Sequence, residues 1–477
     1  MKDCEKKKSR YQYLAGNIAL FSVSNFVSKI LVFLLVPLYT NVLTTYEYGV
    51  ADIMQVTLLL LVPALTLNIG EGALRFGIER ADKRGAILKI GLRYVLRADA
   101  TVTGLCLIGF AIFSLQIRKY LLLFLILFIA NSMYEFLVLF FQGCEMVPAV
   151  VIGSVSSTVL TIASNIIFLL VINIGLYGYI FSQIIAYTFA SIIMFAIGKS
   201  SGADLSLKED EPLKNEMIAY GVPLIAYSTG SWVNNAADRY IVALICGAAV
   251  NGVYGVAYKI PAILMVFQRI FAQAWQMSAT KSYAEKDSER FFTQMYKLYN
   301  TFMVIGCAGI ILIVKPLASF LFRKEFFEAW SFVPPLLISV IFGALTGFLG
   351  SICLAYKDSK SMGIATGCGA VINVALNFAT IPYFGAAGAA WATAVSYFVM
   401  CRMAYRFVKK HVTLENNLLL DALGYVIVLA EAILMIAQIP GVYIWCTLLF
   451  AALVVIYFRD IKSIVCKFAE KFKRKNE

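Results

Sequence analysis

The stretch YLLLFLILFIANSMYEFLVLFFQ, residues 120–142, decides the fold class of this chain. It contains an unbroken apolar run, Leu121–Leu127, and a single charged residue, Glu135. An α-helix of about 20 mostly apolar residues is long enough to cross the hydrocarbon core of a bilayer. Strands of a membrane β-barrel instead alternate apolar and polar residues over about 10 positions. The stretch therefore predicts a membrane-spanning helix and excludes a barrel.

The composition extends this prediction to the whole chain. Of its 477 residues, 61% are hydrophobic and 14% are charged, and the mean hydropathy is +0.80. Soluble domains are about 45–50% apolar and about 25% charged. The apolar excess excludes soluble enzymes and secreted domains. The fold class that it predicts is an all-α polytopic membrane protein.

The apolar stretches divide into about fourteen spanning helices. We expect them at 14–43, 49–78, 98–116, 120–142, 148–172, 176–198, 217–246, 252–280, 292–314, 331–356, 361–382, 386–408, 421–438 and 441–458. The net charge of +13 comes from 41 Lys and Arg residues, and most of those outside the spans fall in alternate connecting segments. Cytoplasmic segments carry such an excess. We therefore expect both termini in the cytoplasm, and no nucleic-acid partner.

The spans group into two bundles. We expect a cytoplasmic N-terminus (1–13), an N-terminal six-helix bundle (14–198), a cytoplasmic linker (199–216), a C-terminal six-helix bundle (217–410), two extra helices (411–458) and a basic cytoplasmic tail (459–477). The tail is expected to contact anionic lipid headgroups. The longest outer segment runs only from Lys315 to about Trp330, which leaves no room for a catalytic domain outside the membrane.

An internal repeat relates the two bundles. The tetrapeptide Tyr-Gly-Val-Ala at 48–51 recurs at 254–257. At nearly the same offset, Gly175, Gly178 and Tyr187 recur as Gly385, Gly388 and Tyr397. Each copy has six spans, an even number, so the copies have the same orientation. This predicts two parallel six-helix repeats around a central cavity, an arrangement found in many transporters.

The residues of catalytic and metal sites are scarce. The ten cysteines lie singly without a Cys-x-x-Cys motif, and the only histidine is His411. Zinc sites and redox motifs need clustered ligands. We expect no catalytic residue, no metal site and no cofactor, and the protein is not expected to be an enzyme.

Three stretches carry a family resemblance: VPLYTNVLTTYEYGVADIMQ (Val36–Gln55), ALTLNIGEGALRF (Ala64–Phe76) and INVALNFATIPYFGAAGAAWATAVSY (Ile372–Tyr397). They resemble the bacterial polysaccharide or O-antigen flippases of the Wzx type, in the multidrug/oligosaccharidyl-lipid/polysaccharide exporter superfamily. The resemblance covers essentially the whole chain, as twelve core helices plus two extra ones.

The resemblance implies a function. Such proteins flip undecaprenyl-pyrophosphate-linked oligosaccharides across the bacterial inner membrane, for O-antigen, capsule or exopolysaccharide export. The implied partners are the lipid-linked glycan, membrane lipids, and a polysaccharide polymerase with its chain-length machinery. By analogy with the peptidoglycan-precursor flippases, the two extra helices would help to form a groove for the lipid tail.

Polar residues within the spans are the candidate cavity residues, because polar groups at membrane depth usually face a cavity or a partner. Two helices carry matching polar faces at helical spacing: Ser22, Asn25 and Lys29 in the first span, and Ser228, Ser231, Asn235 and Asp238 in the seventh. The alternative for the serines is hydrogen bonding between helices.

Four cations could bind a pyrophosphate: Lys29, Arg75, Lys259 and Arg269. They come from the first two spans of each predicted half. Arginine suits this role because its planar guanidinium matches two phosphate oxygens. Lys259 is close enough to the outer surface to extend its ammonium there instead.

Two acids within the spans, Glu71 and Glu135, have different predicted roles. Glu71 and Arg75 stand four residues apart, with the acid first, which favours a structural ion pair. Glu135 has no basic residue in its own span, so it is the candidate for coupling transport to H⁺ or Na⁺. The alternative is that it pairs with one of the membrane cations.

Two other functions are compatible with parts of the sequence. A cation-coupled multidrug exporter of the same superfamily would rely on acids in the first helix, where this chain has Lys29. A membrane glycan polymerase is disfavoured by the short outer segments and the single histidine. Moving a lipid-linked sugar without changing its covalent structure would distinguish a flippase from both.

Overall fold

The computed structural model describes residues 33–200, 210–282, 287–415, 417–458 and 460. Several predicted features fall outside them: Ser22, Asn25 and Lys29, most of the linker, and the basic tail. All regular secondary structure in the described residues is helical. The predicted all-α class is confirmed.

The main helices follow one another along the chain with short connections. They are α1 Val36–Val42, α2 Thr45–Leu65, α3 Ile69–Glu79, α4 Arg84–Ile112, α5 Leu115–Gly143, α6 Val147–Asn165, α7 Gly175–Ser200, α8 Glu211–Cys246, α9 Ala248–Ala257, α10 Pro261–Ser282, α11 Ser288–Leu312, α12 Val314–Leu321, α13 Val333–Ala355, α14 Ser359–Val408, α15 Leu418–Ala437 and α16 Val442–Ile456. A π-helical turn, Ile166–Val171, extends α6.

Nine helices of the described part are long and apolar enough to cross a membrane, or ten if α9 and the start of α10 form one bent span. One of the nine, α14, covers two predicted spans. It is kinked at Gly385, whose φ of 57° and ψ of −143° are not helical. The polytopic prediction is confirmed.

Two predicted spans are broken. The second divides into α2 and α3 at Leu67 and Asn68, which both adopt left-handed φ angles. The break follows Pro63, which lacks the N–H needed to continue the helix pattern. The eighth divides into α9 and α10, bent by 51°, and Pro261 begins the second part. Proline thus marks both breaks.

Two of the glycines that mark the predicted repeat share a positive φ angle. Gly175 begins α7 with a φ of 52°, and Gly385 has a φ of 57°. Residues with a Cβ rarely adopt such angles. The two copies of the repeat therefore use glycine for the same backbone step, at the start of the sixth and twelfth predicted spans.

The contacts divide the chain inside α8, into units Met1–Trp232 and Val233–Glu477. The first part of α8 belongs to the first unit, because Leu213 and Met217 are buried in its core. Trp232 also donates its indole N–H to the carbonyl of Val56, at 2.7 Å. The boundary between units therefore falls within a helix, whereas the sequence placed it at the linker 199–216.

Ion pairs also attach the start of α8 to the first unit. Arg80 binds Glu216 at 2.5 Å and Lys83 binds Asp210 at 2.7 Å. The ammonium of Lys83 holds the pKa of Asp210 below its usual range. These pairs fix α8 beside the segment between α3 and α4.

In the second unit, the two ends of α14 meet. Asp358 caps the N-terminus of α14 by accepting a hydrogen bond from the backbone N–H of Ser361, at 3.1 Å. Its other carboxylate oxygen lies 3.0 Å from Nε2 of His411, just beyond the C-terminus of the same helix. These hydrogen bonds lower the pKa of Asp358 to about 2. The helix is therefore a hairpin of two spans whose ends lie together.

Candidate functional site

A polar layer separates two apolar cores in the first unit. One, the Phe128 core, includes Met54, Leu127, Phe128, Leu176 and Ile180. The other, the Phe140 core, includes Ile69, Phe76, Val95, Phe140 and Met194. Helices α2, α4, α5 and α7 contribute residues to these cores. On each of them, polar residues lie between or next to the core residues.

The polar layer encloses an open cavity of about 330 Å³. Its polar lining consists of Gln55, Thr66, Asn68, Glu71, Asn131, Ser132, Glu135 and Tyr187. No basic residue lines it in the part of the chain that the structure describes. Polar groups at membrane depth need water, a ligand or a partner. The cavity therefore has the character of a hydrated binding site.

Glu135 is exposed to this cavity. Its carboxylate makes no hydrogen bond or ion pair with any residue that the structure describes. Tyr187 stacks on Tyr134, with ring centroids 5.0 Å apart, beside the same space. The alternative of an ion pair for Glu135 thus finds no support within the described residues.

The break between α2 and α3 shapes one wall of the cavity. Asn68 sits at the break with a φ of 50° and donates from its amide to the hydroxyl of Ser228, at 3.2 Å. Glu71 follows in the first turn of α3, where the helix dipole favours a carboxylate. Asn68 and Glu71 both line the cavity.

Asp99 is a buried acid that the sequence analysis missed. Its carboxylate accepts a hydrogen bond from Ser132, at 2.8 Å, directly behind the cavity lining. The signal that could have revealed Asp99 was the helical periodicity of residues 84–112. The predicted third span began only at 98, which placed Asp99 at its end. In the structure α4 begins at Arg84, so the predicted connecting segment 79–97 is mostly helical.

These side chains can recognise hydroxyl-rich or cationic groups. Side-chain amides both donate and accept hydrogen bonds, and ionised carboxylates only accept them. The side-chain amide of Gln55 donates a hydrogen bond to the amide oxygen of Gln183, and this bond fixes the orientation of both side chains. The aromatic face of Tyr187 adds an apolar surface.

Arg75 does not pair with Glu71. Its guanidinium binds Glu79 one turn further along, at 3.1 Å, and lies 4.6 Å from the ring centre of Tyr220. The predicted Glu71–Arg75 pair is wrong because Glu71 turns into the cavity at the start of α3. Arg75 is half-exposed in this arrangement.

Asp238, in the second unit, is buried and fully engaged. It accepts hydrogen bonds from the hydroxyls of Tyr254, at 2.7 Å, and Tyr258, at 2.5 Å. The hydroxyl of Thr393 lies 3.4 Å away. Only 2% of Asp238 is exposed. The prediction that it forms part of an open cavity stripe is therefore wrong. Tyr254, which begins the second copy of the Tyr-Gly-Val-Ala motif, and Tyr258, which follows that copy, enclose it.

The sequence analysis also missed the continuation of this network. Asn373 donates to the hydroxyl of Thr393, at 3.2 Å, and Asn377 donates to Asn373, at 3.1 Å. The available signal was a pair of asparagines four residues apart within an apolar stretch. Carboxylate, amide and hydroxyl oxygens are ligands that hard cations accept. Among the described residues, no group of three or more His, Cys, Asp or Glu could hold a metal ion.

The other predicted site residues lie apart from one another. Asn235 accepts a hydrogen bond from the hydroxyl of Tyr397, at 2.8 Å, and Ser231 is partly buried on α8. Lys259 is partly buried at the break between α9 and α10, and Arg269 is exposed on α10. The joint binding of a pyrophosphate by Arg75, Lys259 and Arg269 with Lys29 therefore stays a prediction.

The comparisons with known proteins agree with this architecture. Residues 14–279 match the family described as polysaccharide biosynthesis protein. No curated protein matches the chain. The solved structure of the lipid II flippase MurJ, in an inward closed conformation, aligns with a TM-score of 0.69 and 14% identity, over 94% of this chain and 100% of that one.

Two further structures show the same fold. An inward-facing multidrug resistance MATE family transporter of the MOP superfamily aligns with a TM-score of 0.67 and 13% identity, over 80% of this chain and 94% of that one. A MOP superfamily transporter from Pyrococcus furiosus, described as having a binding pocket of reverse polarity, aligns with a TM-score of 0.53 and 12% identity, over 84% and 94%. With a family match over more than half of its length, the chain belongs to the polysaccharide biosynthesis protein family.

Proposed function

We propose that the protein flips undecaprenyl-pyrophosphate-linked oligosaccharides from the inner to the outer leaflet of the bacterial inner membrane, by alternating access. The observation that carries the proposal is the open polar cavity between the two apolar cores of the first unit. A sugar headgroup needs hydrogen-bonding partners during its passage, because none exist in the hydrocarbon core.

The chemistry of the cavity supports a sugar ligand. Gln55, Asn68 and Asn131 offer amides, and Glu71 and Glu135 offer acceptors for hydroxyl groups. Tyr187 can pack against the apolar face of a sugar ring. We propose O-antigen, capsule or exopolysaccharide repeat units as the cargo, delivered to a polymerase with its chain-length machinery.

The anionic pyrophosphate needs cations, which we propose are Arg75, Lys259, Arg269 and Lys29. Arg75 lies one turn beyond Glu71, so it can meet a phosphate while the sugars occupy the cavity. Its existing contact with Glu79 is a half-exposed pair, and such pairs contribute little to stability. A pyrophosphate could therefore replace Glu79 at small cost.

We further propose that Glu135 couples transport to H⁺ or Na⁺. An ion drives a conformational change only if it binds the two states differently. A carboxylate that faces an open cavity and has no described partner can bind an ion whenever the cavity admits water. Asp238 is the second candidate, with its ring of oxygen atoms.

The test is reconstitution. Purified protein in vesicles should move a fluorescent lipid-linked oligosaccharide to the opposite leaflet with its covalent structure unchanged. The variant Asn131→Leu, which removes an amide from the cavity wall, should slow this movement about tenfold or more. The matched control Asn41→Leu lies outside the cavity lining and should transport normally. Absence of leaflet exchange by the native protein would overturn the proposal.

The acidic lining favours one alternative function. A cavity with Glu71 and Glu135 and no basic residue among its described lining could bind an organic cation. A cation-coupled multidrug exporter would need such a cavity. Efflux of a cationic dye from the same vesicles, without any flipping of the lipid-linked sugar, would support that function in place of the proposed one.

A further inference from the structure

A basic groove runs along one outward face of α4, apart from the cavity. Lys89, Arg93 and Arg97 follow one another every four residues, so they lie on one side of the helix. Together with Leu92, Leu96 and Ala100 they line a groove of about 450 Å³. None of the described residues that line it is acidic. Arg93 forms an ion pair with Glu211 of α8, at 3.8 Å.

The position of these cations is unusual. They belong to a helical segment, Ala81–Ile112, that is long and apolar enough to cross a membrane. The three cations precede the uncharged apolar part of this segment, Ala100–Ile112. Cations that flank the apolar part of a spanning helix lie at the depth of the lipid headgroups. The guanidinium of Arg97 lies 5.0 Å from the ring centre of Tyr94, which holds it near the helix surface. The groove therefore offers positive charge where phospholipid phosphates are found.

An exposed apolar face of α4 continues from the charged end. Leu96, Ala100, Gly104 and Ile108 share the same face at intervals of four residues. Leu96 is 59% exposed and Ile108 60% exposed, and a Cβ on Gly104 would meet no atom within 4 Å. A phospholipid acyl chain spans about 15 Å, half of the hydrocarbon core, which equals about 10 residues of helix. The exposed apolar face from Arg97 to Ile108 has about this length.

The groove and the cavity lie on different faces of α4. Val95, which lines the cavity, is fully buried, whereas Arg97 is exposed. Residues two positions apart on a helix are rotated by about 200° and so point to nearly opposite sides. The groove is open along its length and cannot enclose an oligosaccharide, so its form fits a lipid that remains bound at the surface.

We propose that this groove is a binding site for an anionic phospholipid, whose phosphate contacts Lys89, Arg93 and Arg97 and whose acyl chain lies along Leu96, Ala100, Gly104 and Ile108. The net negative charge of the lipid, absent from zwitterionic phospholipids, matches the three cations. The proposal does not depend on the transported substrate.

The test measures lipid binding to the delipidated full-length protein by native mass spectrometry. Phosphatidylglycerol and phosphatidylcholine with identical acyl chains are titrated separately. We expect phosphatidylglycerol to bind more tightly, and the triple variant Lys89→Gln/Arg93→Gln/Arg97→Gln to weaken its binding on the order of a hundredfold. The single variant Arg97→Gln, which leaves the ion pair of Arg93 in place, should weaken it about fivefold.

Two controls separate the site from general effects. The triple variant Lys360→Gln/Lys409→Gln/Lys410→Gln removes the same charge elsewhere and should bind the lipid as the native protein does. Gly104→Leu places a side chain on the apolar face where the acyl chain would lie and should weaken binding, whereas Gly363→Leu, also placed in open space, should not. Equal binding of the two lipids, or equal losses in both triple variants, would overturn the proposal. Tighter binding of farnesyl pyrophosphate in the same groove would also overturn it, by assigning the site to an isoprenoid pyrophosphate.

Discussion

Glu135 and Asp238 show how much the surroundings of an acid decide its role. From the sequence, Asp238 was predicted to line the cavity, and Glu135 was predicted to couple transport to an ion, with an ion pair to a membrane cation as the alternative. Asp238 accepts hydrogen bonds from two tyrosines, so its carboxylate is satisfied within the protein. Glu135 faces open space without a hydrogen bond or ion pair to a described residue. This difference makes Glu135 the better candidate for ion coupling.

We expect Glu135→Gln to bind the lipid-linked sugar but to lose the stimulation of transport by an H⁺ or Na⁺ gradient. Its rate should fall to that of the native protein without a gradient, because glutamine cannot release a proton or neutralise a cation. Flipping assays in vesicles with and without imposed gradients measure this. Glu145→Gln, on an exposed turn outside the cavity, is the control. If transport by Glu135→Gln still depends on the gradient as in the native protein, the remaining explanations are coupling through Asp238 or passive transport.

The predicted pyrophosphate cations are tested by single replacements. Arg269→Ala and Lys29→Ala should each reduce glycan export at least severalfold, and Arg269→Lys should restore it only in part, because an ammonium cannot bind two phosphate oxygens as a guanidinium does. Arg269 is exposed, so its removal leaves no buried cavity and the fold should remain intact. Lys360→Ala serves as the control. Normal export by both alanine variants would place the pyrophosphate elsewhere.

At the level of elements, the breaks and kinks of the helices place the site. Gly385 lies at the kink of α14, where its φ of 57° is accessible to glycine but strained for other residues. No atom of the described residues lies within 4 Å of the position that a Cβ would occupy there. A substitution at Gly385 therefore tests backbone conformation without steric overlap.

We expect Gly385→Ala to destabilise the protein by about 1–3 kcal/mol, the usual cost of a strained backbone position. Gly367→Ala is the matched control: this glycine is also in open space but has helical backbone angles. It should be neutral or stabilising by about 0.5–1 kcal/mol, because alanine favours a helix. Thermal unfolding in detergent measures both. Equal effects of the two replacements would contradict the role assigned to the kink.

The contact between the ends of α14 predicts a dependence on pH. Hydrogen bonds from His411 and Ser361 lower the pKa of Asp358 to about 2, below its usual value of about 3.9. A group whose pKa is lower in the folded state stabilises it above the unfolded pKa and loses this effect as the pH falls through the folded pKa. The difference in melting temperature between the native protein and Asp358→Asn should therefore reach its maximum above about pH 5.

This difference should shrink between about pH 4 and pH 2, where Asp358 protonates in the native protein as well. Melting curves in detergent across this range measure it. Asp287→Asn, on an exposed turn before α11, is the control and should show a smaller change. A difference that stays constant down to pH 2 would show that the carboxylate charge does not stabilise the contact.

For the whole molecule, the main prediction is topological. The distribution of Lys and Arg places both termini and the 199–216 linker in the cytoplasm. In a cysteine-free background, Lys208→Cys should resist an impermeant maleimide in intact cells and react after permeabilisation. Lys119→Cys, in a predicted outer segment, should react in intact cells. Labelling of position 208 from outside would reverse the topology and the predicted direction of transport.

The sequence by itself determined the fold class, and it predicted about fourteen spans and an internal repeat. These depend on local properties: long apolar runs require helices in a bilayer, and glycine at 175 and 385 permits a backbone step that other residues disfavour. The resemblance carried by Val36–Gln55 and Ile372–Tyr397 is likewise local, and it led to the family that the match confirms.

The tertiary structure decided which polar residues share a site. Glu71 and Arg75 lie one turn apart in the same helix, α3, yet Glu71 lines the cavity and Arg75 binds Glu79, one turn further along. Helical spacing places an acid four residues to either side of Arg75, so it could not decide which of the two forms the pair. Partners far apart in sequence, such as Asp99 with Ser132 or Asp238 with Tyr254, become neighbours only when the helices pack, because hydrogen bonds between helices depend on their register and not on local sequence.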